Sequence, residues 1–149
     1  MNPATATAPP ERFNAVAHLL ALNAGRPDKV AYIDDTGRVT YAELADRVRR
    51  CAAGLLALGL RREERVLMAM HDGIDFPVAF LGALYAGVVP VPVNTLLTAD
   101  DHAYMLEHCR AMAVIVAPAL RAHVDDAVAK AAAAGRVVPI IQTGATAPG

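Results

Sequence analysis

Gly82 and Gly87 stand at the G-x-x-x-x-G spacing with which a glycine-rich loop cradles phosphate oxygens on backbone N–H groups. Such a loop continues with Lys and then Ser or Thr, and it joins a strand to a helix start. Here Val88 and Val89 follow, and the glycines fall inside and at the end of a helix-like run. The pair is therefore not a phosphate loop; Gly82 is expected to let two helices approach, and Gly87 to end one. Asp35-Thr36-Gly37 spells the aspartic-protease triplet, whose chemistry needs two carboxylates sharing a proton. Asp34 puts a charge where that pattern wants an apolar residue, and a long helix follows within a few residues, so a hairpin turn accounts for the triplet. His102 and Cys109 share a helix face, but a zinc site needs three or four convergent ligands. His18, His71, His108 and His123 are equally isolated, and the chain contains no Ser, which excludes a serine nucleophile. Catalytic, cofactor-binding and metal-binding residues are accordingly assigned to none of these positions.

The elements around these residues alternate. Asn14 is an N-cap for a first helix that Gly25 and Pro27 stop. Val30–Asp34 reads as a strand, Asp35–Gly37 as a tight turn, and RVTY as a short return strand. Thr40 and Glu43 form a capping box, opening a helix to about Leu58 with Leu44, Val48, Cys51, Ala52 and Leu55 on one face. Gly59 closes it in the left-handed conformation. Arg65–Met70 is a buried-strand pattern, and DFPVAFLGALYAG is a helix with Pro77 near its start. Thr98, with Asp101 in the reciprocal position, caps Ala99–His108. Ala113–Ala117 is a strand, Leu120–Ala134 an Ala-rich helix and Val137–Ile141 a last strand. This order implies βαβ crossovers, hence an α/β fold with a mainly parallel sheet.

Within it, VVPVPV (Val88–Val93) places a proline at alternate positions. Pro90 and Pro92 lack N–H groups that would point to the same side, which a central strand tolerates badly and an edge strand well. Pro90, Pro92 and Asn94 are thus expected to act through shape, at an edge where another part of the protein packs.

A chain of 149 residues, 55% hydrophobic and rich in Ala, Val and Leu, suits one domain with a real core. Fourteen basic against 15 acidic side chains, net −1, give nothing that attracts nucleic acid or an anionic membrane. The basic runs Arg47–Arg50 and Arg61–Arg65 read as solvated surface. Cys51 and Cys109 lie in apolar helix-like segments without C-x-x-C spacing and read as reduced, buried thiols. No apolar run reaches a membrane span, and residues 1–12 lack the apolar stretch of a signal peptide. The expected organisation is a disordered lead over 1–12, a body over 13–141 and a flexible tail over 142–149, in the cytoplasm.

Three stretches resemble the opening of the adenylate-forming acid–CoA ligase superfamily. Val39–Val66 (VTYAELADRVRRCAAGLLALGLRREERV) resembles its "TY-x-EL … A-x-x-L-x-x-x-G … G-D-x-V" segment. Phe80–Asn94 (FLGALYAGVVPVPVN) resembles its "G-x-x-x-A-G-x-x-x-x-P-x-N" segment, and Thr95–Val116 continues in register. The likeness covers about Phe13 to Ile141, and DFPVAFLGALYAG with NTLLTADDHAYMLEHCRA resembles the benzoate–CoA ligase branch. It implies the first subdomain of the adenylate-forming fold, from an enzyme that makes an acyl-adenylate from Mg·ATP and an aromatic acid and then passes the acyl group to coenzyme A. ATP, Mg²⁺ and coenzyme A are implied for the parent enzyme and not for this chain, whose partner would be the remaining subdomains. The family's phosphate-gripping loop, its adenine, ribose and Mg²⁺ motifs and its C-terminal lysine have no counterpart here. Glu63-Glu64 stand where the family often has Gly-Asp, so that turn is expected to be less constrained. Leu96 stands where some such ligases carry a basic residue near the coenzyme A entrance, so no coenzyme A contact is carried over. The fragment is expected to be inactive alone and to expose an apolar patch where the second subdomain belongs. The alternative from another class is a free-standing binding or assembly module derived from this fold.

Overall fold

The computed structural model describes residues 10–144. Most of the expected lead, residues 1–9, and of the tail, residues 145–149, lies outside the described residues. Helix α1 (Ala15–Asn23) starts at Asn14, whose side chain accepts from the N–H groups of Val16 and Ala17. Strands β1 (Val30–Asp34) and β2 (Gly37–Thr40) form an antiparallel hairpin separate from the main sheet. Helix α2 (Tyr41–Ala57) opens with the reciprocal Thr40–Glu43 box, and Gly59 beyond it takes φ +89°. Then follow β3 (Arg65–Ala69), α3 (Asp75–Ala86), β4 (Val89–Pro92), α4 (Ala99–His108), β5 (Ala111–Val116), α5 (Arg121–Ala133) and β6 (Ile140–Gln142). Thr98 and Asp101 cap α4 as the spacing predicts.

Boundaries differ where proline intervenes. Pro118 opens a short 3-10 turn, Pro118–Leu120, so α5 begins at Arg121. Val137 is 90% exposed and Pro139 has no N–H to donate, although its carbonyl accepts from Val114 N, so the last strand proper begins at Ile140 and runs to Gln142, one residue into the expected tail.

The main sheet is wholly parallel, in the order β4-β3-β5-β6. Alternation along its strands separates two cores. Val66 and Met68 of β3 with Ala113 and Ile115 of β5 pack under α2 and α3, against Leu55, Ala79 and Ala83. Leu67, Ala69, Val114 and Val116 point the other way, onto Leu106 of α4 and Val124 and Ala127 of α5. Burying each such Val or Leu contributes about 1.5–3 kcal/mol, which is why a one-residue slip of any strand is disfavoured. A third cluster joins α1 and the hairpin to the outer side of α2 and α3 through Val16, Leu20, Val39, Leu44 and Val48.

The prolines fit the sheet edge. The amides of Val89 and Val93 donate inward, to Glu64 O at 2.8 Å and Met68 O at 3.1 Å. Alternation turns Pro90 and Pro92 toward the outer side of β4, the terminal strand, where no donor is required. Gly82 is buried mid-helix: a Cβ there would lie 2.6 Å from Cys51 Sγ and 2.7 Å from Cys51 Cβ, so α3 crosses α2 at this point. Gly87 ends α3 with φ +79°.

Three sequence expectations need correction. Cys51 and Cys109 are half-buried rather than buried, because each lies at the margin of its core. Arg65 is half-buried and engaged rather than free surface: its guanidinium donates to Cys109 O at 2.6 Å, Glu63 O at 3.1 Å and Arg110 O at 3.4 Å, tying the turn before β3 to the one before β5. The Glu63-Glu64 turn is not relaxed either. Glu63 sits at φ +69°, the left-handed region that suits Gly, with its N–H on Gly87 O.

Candidate functional site

The strand order contains one reversal. The chain leaves β3 toward β4 on one side through α3, then crosses to β5 on the other side through α4. Beyond the carboxyl ends of β3 and β5, the two departing connections leave a crevice, the place where open parallel sheets hold ligands. That crevice, about 220 Å³, is lined by Asp34, Arg47, His71, Asp72, Asp75 and Thr143, among others. The β3–α3 connection supplies its floor with the exposed pair His71-Asp72 and then Gly73 and the buried Ile74.

Asp34 organises this end. One carboxylate oxygen accepts from Thr36 N at 2.8 Å, Thr36 Oγ1 at 2.6 Å and Gly37 N at 3.1 Å, and the other accepts from Ile74 N at 2.7 Å. The Thr36 hydroxyl first, and then the Ile74 amide, hold the Asp34 carboxyl below its ordinary pKa. A Cβ on residue 73 would sit 3.2 Å from Asp34 Oδ2, so Gly73 lets the loop come close. Asp34 is thus a clasp between the hairpin and the β3–α3 connection. Its acceptor sites are already engaged, so it is poorly suited to act as a base. What faces solvent is a mixed-charge rim of Arg47, His71, Asp72 and Asp75, able to orient a polar group but lacking a paired nucleophile and base.

A larger hollow of about 570 Å³ lies beside it, between α2, α3 and β6. Leu55, Leu58, Val78, Ile115 and Ile141 line it together with the Cys51 thiol. Burial raises the Cys51 pKa, which keeps the thiol protonated. Few polar groups converge there, so it is a surface for packing and not for chemistry.

The residues weighed on sequence grounds disperse. Asp35-Thr36-Gly37 is the hairpin turn, with Asp34 rather than Asp35 making the contacts. His102 is fully buried with no hydrogen-bond partner for either ring nitrogen among the described residues, while Cys109 lies at the C-terminal end of α4. Burial first, with His123 adding to it and Asp101 opposing, lowers the His102 pKa from its ordinary 6.5. His18, His108 and His123 are exposed on separate helices. Among the described residues no three His, Cys, Asp or Glu side chains gather as a metal site would require. Leu96 is 88% exposed, and its N–H donates to the Asn94 side chain at 2.9 Å, which shapes the turn after β4. Asp34, Arg47 and the 71–75 connection were missed. A polar His-Asp-Gly run between a buried strand and a helix was the available signal.

This doubly wound body, with its proline-closed edge and strand-end crevice, matches a known family. Residues 20–148 match the AMP-binding enzyme family, and the chain belongs to it. It is 51% identical over 114 residues, 74% of its own length, to a benzoate–CoA ligase of Thauera aromatica. It is 38% identical over 119 residues to a 4-hydroxybenzoate–CoA/benzoate–CoA ligase of Rhodopseudomonas palustris, with 78% of the chain covered. The chain spans 22% of the length of each of these relatives. A crystal structure of a benzoate CoA ligase from Burkholderia xenovorans superposes with TM-score 0.83 at 50% identity, covering 92% of this chain and 27% of that one. No helix among the described residues is long and apolar enough to cross a membrane.

Proposed function

We propose that this chain is the N-terminal part of an ATP-dependent aryl-acid–CoA ligase directed at benzoate. In that reaction the carboxylate attacks the α-phosphate of ATP, forming acyl-adenylate and releasing pyrophosphate. The coenzyme A thiol then attacks the acyl carbon and AMP leaves. The observation that carries the reading is the 51% identity to the Thauera aromatica benzoate–CoA ligase. The organisation proposed is a body over residues 13–141 between a lead and a tail, and the compartment proposed is the cytoplasm.

The residues in hand do not fit Mg·ATP. Gly82 packs against Cys51 mid-helix, so the only P-loop-like spacing weighed in the sequence cannot cradle phosphate. Among the described residues no acidic cluster suited to Mg²⁺ gathers. No step of the reaction is therefore assigned to these side chains; the role of this part is to carry and brace the rest of the ligase. The isolated chain should give no benzoate-dependent exchange of pyrophosphate into ATP. A chimera in which it replaces the matching segment of the Thauera aromatica enzyme should make benzoyl-CoA. Exchange by the isolated chain would refute its incompleteness, and a folded but inactive chimera would favour a free-standing binding or assembly module.

A further inference from the structure

Helix α4 is thinly anchored. His102 and Leu106 are its buried residues, whereas α2 buries Leu44, Val48, Ala52 and Leu55. Lys130 of α5 reaches Asp100 at the exposed end of α4, and Arg136 reaches Leu106 O at 3.4 Å. One of the two anchors is therefore a titratable ring. His102 has no exposed surface, and neither ring nitrogen has a hydrogen-bond partner among the described residues. Neutral, the ring passes as an awkward apolar side chain. Protonated, it is a cation with two N–H donors and nothing to receive them, a far costlier state to bury.

The surroundings offer such a cation little. The sheet face on this side presents Leu67, Ala69, Val114 and Val116, β4 adds Val91 and Val93, and α5 buries Val124 and Ala127. Of the charged groups that act on His102, His123 on α5 opposes a charge there, and Asp101 on its own helix favours one. Asp101 is already committed, since its carboxylate accepts from Thr98 N at 3.0 Å and Thr98 Oγ1 at 2.8 Å in the cap of α4. Asp100, Glu107 and His108 on α4 and Asp125, Asp126 and Lys130 on α5 are exposed, and Arg121 is paired with Asp125.

We propose that His102 is an acid-sensitive latch: proton uptake by its ring releases α4 from the α5 layer while the α2–α3 layer stays folded. The device belongs to the fold and does not rest on the ligase reading. Released, the ring takes its proton from water and gives both N–H groups to solvent. The latch is closed above the ordinary imidazole value of 6.5, and below it the open form binds one proton more than the closed one. A one-proton difference raises the open population by up to about tenfold from about pH 7.5 to about pH 5.5.

Residue-resolved hydrogen exchange on the 149-residue chain tests the latch, with each rate divided by that of an unstructured peptide at the same pH. Between about pH 7.5 and 5.5, protection of the Ala103, Met105 and Leu106 amides should fall roughly five- to tenfold, and that of Val48, Ala52 and Leu55 should hold. In His102→Leu, α4 protection should stay level across the range. Level α4 protection in the unmodified chain, equal loss in both layers, or a loss that persists in His102→Leu would each overturn the proposal. Should that variant fail to fold, histidine-selective ¹⁵N spectra of the unmodified chain decide. The His102 ring should be neutral while α4 is closed, with a charged signal growing in step with the lost protection. A charged ring in a protected α4 would overturn the latch.

Discussion

The two helical layers are built on different principles. On one face, α3 crosses α2 where Gly82 meets Cys51, with no room for even a methyl group between them. On the other, α4 carries the fully buried His102, neither of whose ring nitrogens has a partner among the described residues. The first layer gains its specificity from backbone approach, the second tolerates a polar misfit. The contrast teaches that one layer is sensitive to volume and the other to protonation.

Gly82→Ala is the sharpest way to break that contrast. Alanine improves helix propensity by about 1 kcal/mol, yet overpacking a closed contact costs about 1–3 kcal/mol. Net destabilisation centred on about 1 kcal/mol, and no more than about 2 kcal/mol, is expected from denaturant titration. Cys51→Ala should rescue little, because Cys51 Cβ itself lies 2.7 Å from the added methyl position, whereas Cys51→Gly should show favourable coupling in a double-mutant cycle. A stabilising Gly82→Ala would show that the α2–α3 contact is loose.

The α4–α5 layer should answer to pH. The folded-state pKa of His102 lies below its ordinary 6.5, so the native state binds fewer protons than the unfolded one. Its contribution to stability is whole above pH 6.5 and declines as pH falls from there through the lower folded value. His102→Leu should flatten that slope and, at neutral pH, stabilise by about 1 kcal/mol, since a buried imidazole without partners carries a desolvation penalty. Calorimetry from pH 5 to 8, a range chosen to bracket the unperturbed imidazole, tests both points. An unchanged acid slope in the variant would place the titration elsewhere.

Much of this was readable in local pattern. The Thr40–Glu43 and Thr98–Asp101 caps involve groups three residues apart, and Pro90 and Pro92 declare an edge strand by their own chemistry. The crevice was not readable, because its organiser, Asp34, finds Ile74 forty positions away. Arg65 looked like one more surface charge until the α4–β5 turn came within reach of its guanidinium. The same holds for Glu63, whose left-handed backbone is imposed by the junction with Gly87. Pattern reports periodicity and caps; it does not report which distant loops meet.

Glu63 allows the tight layer to be sharpened instead of broken. A non-glycine residue in the left-handed region costs about 1–2 kcal/mol, against a glycine entropy cost of about 0.5–1 kcal/mol. Glu63→Gly should therefore stabilise by about 0.5–1 kcal/mol, seen as a higher melting temperature. A lower one would mean that the glutamate side chain contributes more than its backbone strain removes.

The smallest effect belongs to the surface of the looser layer. Lys130 of α5 reaches Asp100 of α4, with side chains 54% and 83% exposed. Held in water, screened by salt and made of flexible side chains, such a pair contributes about 0–1 kcal/mol. Lys130→Gln should thus shift the unfolding midpoint by no more than about 0.5 kcal/mol at physiological salt. The remaining difference should shrink further as salt rises. A loss as large as that of Gly82→Ala would mean that α4 and α5 are held together by charge rather than by Leu106, Val124 and Ala127, and the contrast between the two layers would have to be redrawn.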